Sequence, residues 1–145
     1  MRIRFLRPLL FPLLLVAFNN TKAQSKPPQD SLSVNGNPVF EKVEVEASVD
    51  AKAWIQHLQT ELKLYVDEAV RKGIKPGTYT VNVRFLVEKN GRITDVKALN
   101  DPGYGLASGA VRTVRTGPLW TAGEMSGKKV RSYHTQPIMF SITEK

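Results

Sequence analysis

The 145-residue sequence contains no cysteine and only two histidines. The absence of cysteine excludes a disulfide framework, a thiolate nucleophile, a cysteine-ligated metal centre and a lipidated cysteine. The sequence also lacks an apolar run of the roughly 20 residues that a membrane-spanning helix requires. Apolar residues make up 41% and charged residues 23% of the chain, which is typical of a globular protein with one ordinary domain.

The N-terminal residues have the pattern of an export signal. Three arginines, Arg2, Arg4 and Arg7, precede an apolar run over residues 8–18. Two small residues, Thr21 and Ala23, then stand three and one positions before a cleavage point. The pattern predicts that residues 1–23 are a signal peptide. The alternative is a short, uncleaved membrane anchor, although the run is short and contains Pro12.

Half of the net charge of +8 comes from basic residues in the N-terminal segment. Residues 1–23 contain four basic and no acidic residues, so the remaining chain has 17 basic and 13 acidic side chains and a net charge of +4. Those charges are spread along the chain, with one cluster at Lys128, Lys129 and Arg131. Dispersed charge indicates a solvated surface rather than a phosphate-binding track, so we expect no nucleic-acid partner.

A linker and the first helix follow. Residues 24–38 are polar and rich in proline, glycine and asparagine, which predicts a flexible tether that precedes a domain over residues 39–145. Alternation over residues 39–45 indicates a short extended segment. Apolar residues then recur at spacings of three and four and form one core stripe, which predicts a helix over residues 50–72, as one helix or as two, with Asp50 as its N-cap and Gly73 as its C-terminal stop. The stripe consists of Trp54, Leu58, Leu62, Val66, Ala69 and Val70.

The clearest pattern is a β-hairpin. Residues 78–89 alternate between apolar and polar side chains, and Asn90-Gly91 is typical of a two-residue type I′ turn, so residues 92–99 are predicted to form the returning strand. Counting outward from that turn predicts three pairs, Val87 with Thr94, Phe85 with Val96, and Val83 with Ala98.

A second helix starts near Leu106, and a final strand covers residues 129–143 with Ile138, Phe140 and Ile142 on one face. Because Pro137 cannot donate to a ladder, we expect this strand at the sheet edge. The predicted fold class is α+β, a three-stranded antiparallel sheet with two helices packed on one face.

Few residues suggest a catalytic, cofactor-binding or metal-binding site. The spacing of Gly103, Gly105 and Gly109 differs from a dinucleotide-binding loop, so turn glycines are the better interpretation. Ser108 lacks the context of a nucleophile elbow, and His57 and His134 have no carboxylate at metal-ligand spacing. Glu41, Glu44 and Glu46 are interpreted as solvated charges, and Trp54 and Trp120 as core residues. We therefore expect no catalytic residue, cofactor or metal.

An ordered set of short motifs resembles the TonB C-terminal domain family over about residues 39–143. The set consists of the hairpin Val81–Leu99, Ala110-Val111 with Val114, Pro118-Leu119-Trp120, Gly127–Val130 and Gln136–Phe140. The resemblance implies a periplasmic domain that pairs with an extended segment of an outer-membrane receptor in energy-coupled transport. It also implies an inner-membrane, proton-driven partner complex if the N-terminal segment is retained.

The strand pattern suggests where such a segment would bind. If Ile138, Phe140 and Ile142 face the core, the backbone groups of alternate residues point away from the inner neighbour, at Tyr133, Thr135, Met139 and Ser141. These four are the predicted partner-binding residues. Two alternatives remain open: an edge merely blunted by Pro137, and an edge covered by residues 39–45. A competing function is a secreted enzyme or small-ligand-binding module on the same scaffold.

The export pattern predicts that the protein recovered from the cell envelope begins at Gln24. N-terminal sequencing of that protein checks this expectation, because cleavage after Ala23 removes all residues of the apolar run. An intact Met1 would instead indicate the anchored form.

Overall fold

The computed structural model describes residues 31–34 and 37–143, and the predicted signal peptide over residues 1–23 lies outside them. The elements in chain order are two short strands, a long helix, a hairpin, a second helix, a small hairpin and a long final strand. They are β1 (Ser31–Val34), β2 (Asn37–Phe40), α1 (Ala51–Arg71), β3 (Gly77–Val87), β4 (Ile93–Ala98), α2 (Leu106–Arg115), β5 (Glu124–Met125), β6 (Lys128–Lys129) and β7 (Arg131–Ile142).

Five strands form one mixed sheet in the order β1-β2-β7-β3-β4, and β5 pairs separately with β6. The predicted three-stranded antiparallel sheet is its central part, β7-β3-β4, and the α+β class is confirmed. The predicted number of strands is wrong, because β1 and β2 extend the sheet beyond β7. Residues 31–34 and 37–38 were expected in the flexible linker, and they form strands instead.

The helix α1 is a single unbroken helix with well-defined ends. Its N-cap is Asp50, whose Oδ1 accepts a hydrogen bond from the Ala53 N–H at 2.7 Å, as the sequence predicted. At the other end, Gly73 has a φ of 85°, and the N–H groups of Gly73 and Ile74 donate to the carbonyls of Val70 and Ala69. This pairing satisfies carbonyls that the last turn leaves open and ends the helix.

The core lies between the two helices and one face of the sheet. Alternate residues of β3 and β7 supply the sheet side, and α1 and α2 supply the other side; the buried members include Val81, Val83, Phe85, Val87, Ile138, Phe140, Trp54, Leu106, Ala110 and Val114. Burial of these side chains is the main favourable contribution to folding. Both predicted tryptophans are in the core, with Trp54 and Trp120 each 6% exposed.

The β3–β4 hairpin has the predicted strands but a different turn. The Gly91 N–H donates to the Glu88 carbonyl, and Gly91 has a φ of 80° while Asn90 is not among the positive-φ residues, so the turn is not type I′. The pairs next to the turn are therefore Val87 with Ile93 and Leu86 with Thr94, which corrects the predicted Val87–Thr94 pair.

A β-bulge restores the predicted register further from the turn. The ladder shifts between Arg84 and Leu86, and Asp95 on the opposite strand has a φ of 49°. One extra residue in β4 compensates for the different turn, so Val83 pairs with Ala98 as predicted. The predicted Phe85–Val96 pair falls in the shifted region and is absent from the regular pairs of this ladder.

Two contacts hold the hairpin and β7 in place. The Trp120 N–H donates to the Gly91 carbonyl at 3.0 Å, which joins the loop after α2 to the hairpin turn. Arg131, at the start of β7, donates from Nε and Nη2 to the two carboxylate oxygens of Glu88 at 2.7 and 3.2 Å. The contact with Arg131 lowers the pKa of Glu88 below its ordinary value of 4.5, because the guanidinium stabilises the carboxylate.

Replacing Gly91 with alanine is expected to destabilise the fold by about 2–4 kcal/mol. A Cβ at Gly91 would overlap the Trp120 carbonyl, in addition to the cost of its positive φ. Gly127→Ala is the matched control, since Gly127 has a φ of 71° and no neighbouring atom within 4 Å, so it should cost only about 1 kcal/mol. Urea denaturation measures both, and equal losses would contradict the close contact.

Replacing Glu88 with glutamine is expected to cost about 1 kcal/mol of stability at neutral pH, because it removes the charge from a mostly buried ion pair. The carboxylate's contribution is present above pH 4.5 and is lost as the pH falls through the lower pKa of the folded state. The difference between the parent chain and Glu88→Gln should therefore shrink in acid. Thermal unfolding over this range tests it, with the exposed Glu68–Lys72 pair as a control through Glu68→Gln. A constant difference would contradict this account.

Candidate partner-binding edge

The hydrogen bonds of β3 show which way the backbone groups of β7 point. The Asn82 N–H donates to Asn100 Oδ1 and the Asn82 carbonyl accepts from the Leu99 N–H, both at 2.8 Å, so these groups face β4. Because backbone groups alternate along a strand, the groups of Val81 and Val83 face β7, where they pair with Ile138 and Gln136. The backbone N–H and C=O groups of the even-numbered residues of β7 therefore point to β3.

The odd-numbered residues of β7 consequently direct their backbone groups to the other edge. They include the four residues selected from the sequence, Tyr133, Thr135, Met139 and Ser141, together with Pro137. The structure therefore gives these residues the parity that the sequence pattern predicted.

The start of this edge is covered by the chain itself. Strand β2 runs parallel to β7 and pairs Val39 with Arg131 and Phe40 with Ser132. The expectation that the whole final strand lies at the edge is therefore wrong for its first two residues. The apolar side chains of Val39 and Phe40, 0% and 6% exposed, explain this pairing, because it buries them. Among residues 31–34 and 37–143, no strand pairs with this side of β7 beyond Ser132.

Tyr133 differs from the other three predicted residues. Thr135, Met139 and Ser141 have exposed side chains, and Met139 is 67% exposed. The Tyr133 ring instead stacks under the Arg84 guanidinium at 3.7 Å, and its hydroxyl donates to Asp95 Oδ2 at 2.8 Å. The hydrogen bond to Asp95 raises the pKa of Tyr133 above its ordinary value. Tyr133 is thus fixed on the outer face of the sheet.

An apolar groove of about 640 Å³ lies beside the open part of this edge. It separates one stripe of α1 from the end of β7, and its lining residues include Ile55, Leu58, Leu62, Val66, Met139, Phe140 and Ser141. Sequence reasoning assigned Leu58, Leu62 and Val66 to the core stripe and did not select Ile55 as a surface residue. In the structure Ile55 is 54% exposed, and the other three are only partly buried. The sequence feature that could have indicated this groove is Ile55, an apolar residue just outside the predicted stripe.

An aromatic cluster supports the first half of β7 from the core side. Trp120 packs against both Phe85 and His134, with ring centroids 5.0 and 4.8 Å away, and it also contacts Trp54 edge-on at 5.8 Å. Burial lowers the pKa of His134, since the charged imidazolium would lose its hydration there. A neutral, packed imidazole keeps this segment of β7 in register with β3.

The other candidate residues have local structural roles. Gly103 and Gly105 have φ values of 88° and 84°, which confirms turn glycines at these two positions. The turn interpretation is wrong for Gly109, which lies within α2, where a Cβ would overlap the Tyr65 ring. The His57 Nε2 lies 2.8 Å from the Thr113 carbonyl. His57 and His134 lie on different helix and strand elements, and within the described ranges no three metal-ligating side chains converge.

The three acidic residues that were interpreted as solvated charges are all exposed, and two of them also make surface contacts. Glu41 forms an ion pair with Arg84, and Glu44 Oε2 accepts a hydrogen bond from the Ser126 N–H at 2.9 Å. Both contacts join the segment after β2 to distant parts of the fold. The same segment continues into the backbone pairing of Val45 with Glu124.

Comparison with known proteins identifies the family. The family described as the Gram-negative bacterial TonB protein C-terminal matches residues 62–142, which is more than half of the chain. No curated protein and no solved structure matches the chain. In the part of the chain that the structure describes, no helix is both long and apolar enough to span a bilayer. With its α+β fold and the match over both strands of the hairpin, α2 and β7, the chain belongs to the TonB C-terminal domain family.

Proposed function

We propose that this protein is a periplasmic partner-binding domain that contacts an outer-membrane receptor by β-strand addition during energy-coupled transport. The observation that carries the proposal is the open edge of β7 from Tyr133 to Ser141, where alternate backbone groups have no strand partner among the described residues. An extended segment could pair with these groups as it pairs with any sheet edge. Family membership supports the role in transport.

The edge has features that favour a partner strand over general aggregation. Strand β2 blocks the first two residues of β7, and Pro137 removes one outward donor, so the open stretch is short and interrupted. The ladder to β3 extends over the whole open stretch, from Gly77 with Ile142 to Val87 with Ser132, and it holds the edge in place. A rigid edge spares the partner the entropy cost of ordering both strands.

The proposed location follows from the N-terminal pattern. If residues 1–23 are removed, the mature chain is a soluble periplasmic module that begins with the linker. If they are retained, the chain is held at the inner membrane, where a proton-driven complex could act on it. In both cases the domain over residues 39–145 would meet a receptor segment from the periplasmic side.

An enzyme or small-ligand-binding function is less well supported. The cleft between α2 and β4, of about 510 Å³, contains Ser108, Arg112 and Arg115. The Ser108 hydroxyl donates to the Gly105 carbonyl of its own helix, and no base contacts it among the described residues. Nucleophilic catalysis needs an adjacent base, so this cleft lacks the arrangement of a hydrolase.

The proposal predicts that receptor N-terminal segments bind along β7. In a two-dimensional NMR titration, peptides from such segments should shift the amide signals of residues 133–143. The amides of Val96 and Ala98 on the opposite edge strand serve as the internal control and should not move. A panel of such peptides that leaves residues 133–143 unchanged would contradict the proposal.

A variant separates backbone pairing from side-chain contact. Met139→Pro removes an outward N–H and leaves the ladder to β3 intact, so it should weaken peptide binding about fivefold or more. Met139→Thr retains the N–H and is the matched control, which should bind nearly as well as the parent chain. Fluorescence anisotropy measures both, and thermal unfolding verifies that both variants fold. Equal binding by the two variants would argue against strand addition.

A further inference from the structure

Three arginines from separate parts of the sequence line two neighbouring clefts. Arg112 and Arg115 line the cleft of about 510 Å³ between α2 and β4. Arg115 also lines a smaller cleft of about 180 Å³, together with Arg92 from the hairpin turn and Leu119 from the loop after α2. Because Arg115 belongs to both clefts, these four residues form one continuous surface, which we call the arginine surface.

The arginine surface carries positive charge that the fold does not neutralise. All three arginines are exposed. The ion pairs within residues 31–34 and 37–143 use other basic residues. No acidic residue lines either cleft in this part of the chain. Three guanidinium groups without a counter-charge produce a local field that attracts anions.

The helix dipole at the end of α2 favours the two arginines in its last turn, but it does not account for the rest of the surface. Arg92 and Leu119 are held there by the hydrogen bond from the Trp120 N–H to the Gly91 carbonyl. Arg92 directly follows Gly91, and Leu119 directly precedes Trp120. Trp120 is buried in the core, so the arginine surface is formed before any ligand binds.

Leu119 adds an apolar side chain to this charged surface. It is 69% exposed, although the next residue is in the core. A guanidinium group binds phosphate through two parallel hydrogen bonds, whereas a leucine side chain gains free energy only from an apolar environment. A lipid surface offers phosphate groups with an apolar layer beneath them, and therefore suits both kinds of side chain.

We propose that the arginine surface docks this domain on an anionic lipid bilayer, with the guanidinium groups on lipid phosphates and Leu119 between the headgroups. The predicted export signal supports this occupant, because an exported envelope protein stays close to a membrane. The inference is independent of strand addition. Strands β4 and β7 lie on opposite sides of β3, so a docked domain keeps the β7 edge open.

The test measures vesicle binding of the protein recovered from the cell envelope, by co-sedimentation. We expect it to bind vesicles that contain about one third phosphatidylglycerol much more tightly than vesicles of phosphatidylcholine alone, and to bind more weakly as salt is added. In NMR spectra, a nitroxide-labelled lipid should broaden the amide signals of residues 91–93 and 117–119. The amides of residues 133–141, at the other edge, should stay sharp.

Two double variants test the charges. Arg112→Gln with Arg115→Gln should weaken binding to the anionic vesicles about 25-fold, at about fivefold for each charge. Lys128→Gln with Lys129→Gln is the matched control, because it removes two exposed charges that line neither cleft. The control should weaken binding by about threefold at most.

Two serine variants test the apolar contact. Leu119→Ser should weaken binding about tenfold, because it removes the side chain that inserts between headgroups. Leu64→Ser is the matched control, since Leu64 is equally exposed at 70% and lies on α1, outside both clefts. Thermal unfolding verifies that each variant folds.

Several results would overturn the proposal. Equal weakening by the two double variants would show general charge attraction, and equal weakening by the two serine variants would exclude insertion of Leu119. Release by inorganic phosphate at constant ionic strength would indicate a site for a small anion. Binding to a polyglutamate peptide but not to vesicles would assign the surface to an acidic protein. Peptide binding along β7 is measured separately, so strand addition stands or fails on its own.

Discussion

The antiparallel ladder between β3 and β7 pairs the backbone groups on one side of the final strand. The backbone groups of the alternate residues point to the other side. The ladder runs without a break from Gly77 and Ile142 to Val87 and Ser132. The core side chains of both strands depend on its register, because a shift by one residue would move them to the opposite face. The open edge, the groove beside α1 and the proposed function all follow from this one pairing.

The surrounding contacts keep the ladder in one position. Arg131 and Glu88 pair just beyond the Val87–Ser132 end of the ladder, and Trp120 packs against both Phe85 and His134, two residues further in. On the outer face, Tyr133 is held by Arg84 and Asp95. These contacts are made within the chain, so the edge is ordered before any partner arrives. A preformed edge is suited to binding an extended segment at low entropic cost.

Much of this arrangement could be predicted from local patterns. The alternation in β3 and β7 gave the correct core faces, and the N-cap Asp50 and the stop at Gly73 located both ends of α1. These features depend on residues that are close in sequence. The fold class and the parity of the final strand could be inferred from them, because side-chain alternation in strands has a fixed period.

The features that were missed depend on contacts between distant residues. The turn at Gly91 packs against Trp120, and the bulge at Asp95 restores the register, and neither feature can be read from the Asn90-Gly91 motif alone. The sequence left open that residues 39–45 cover the edge of the final strand, but it could not locate the pairing of β2 with β7, because the two segments are about ninety residues apart. The groove could not be predicted, because the sequence does not show which side of α1 extends past the sheet. The exposed Ile55 lines a groove only because α1 lies beside the end of β7 in the fold.

Amide hydrogen exchange of the free protein, followed residue by residue along β7, tests the central claim most directly. The account predicts an alternating pattern, with slow exchange at His134, Gln136, Ile138 and Phe140, whose groups face β3, and fast exchange at Tyr133, Thr135, Met139 and Ser141. A bound extended peptide should then slow the fast set. Uniformly slow exchange along the strand in the free protein would contradict the account, since it would mean that the edge is already occupied.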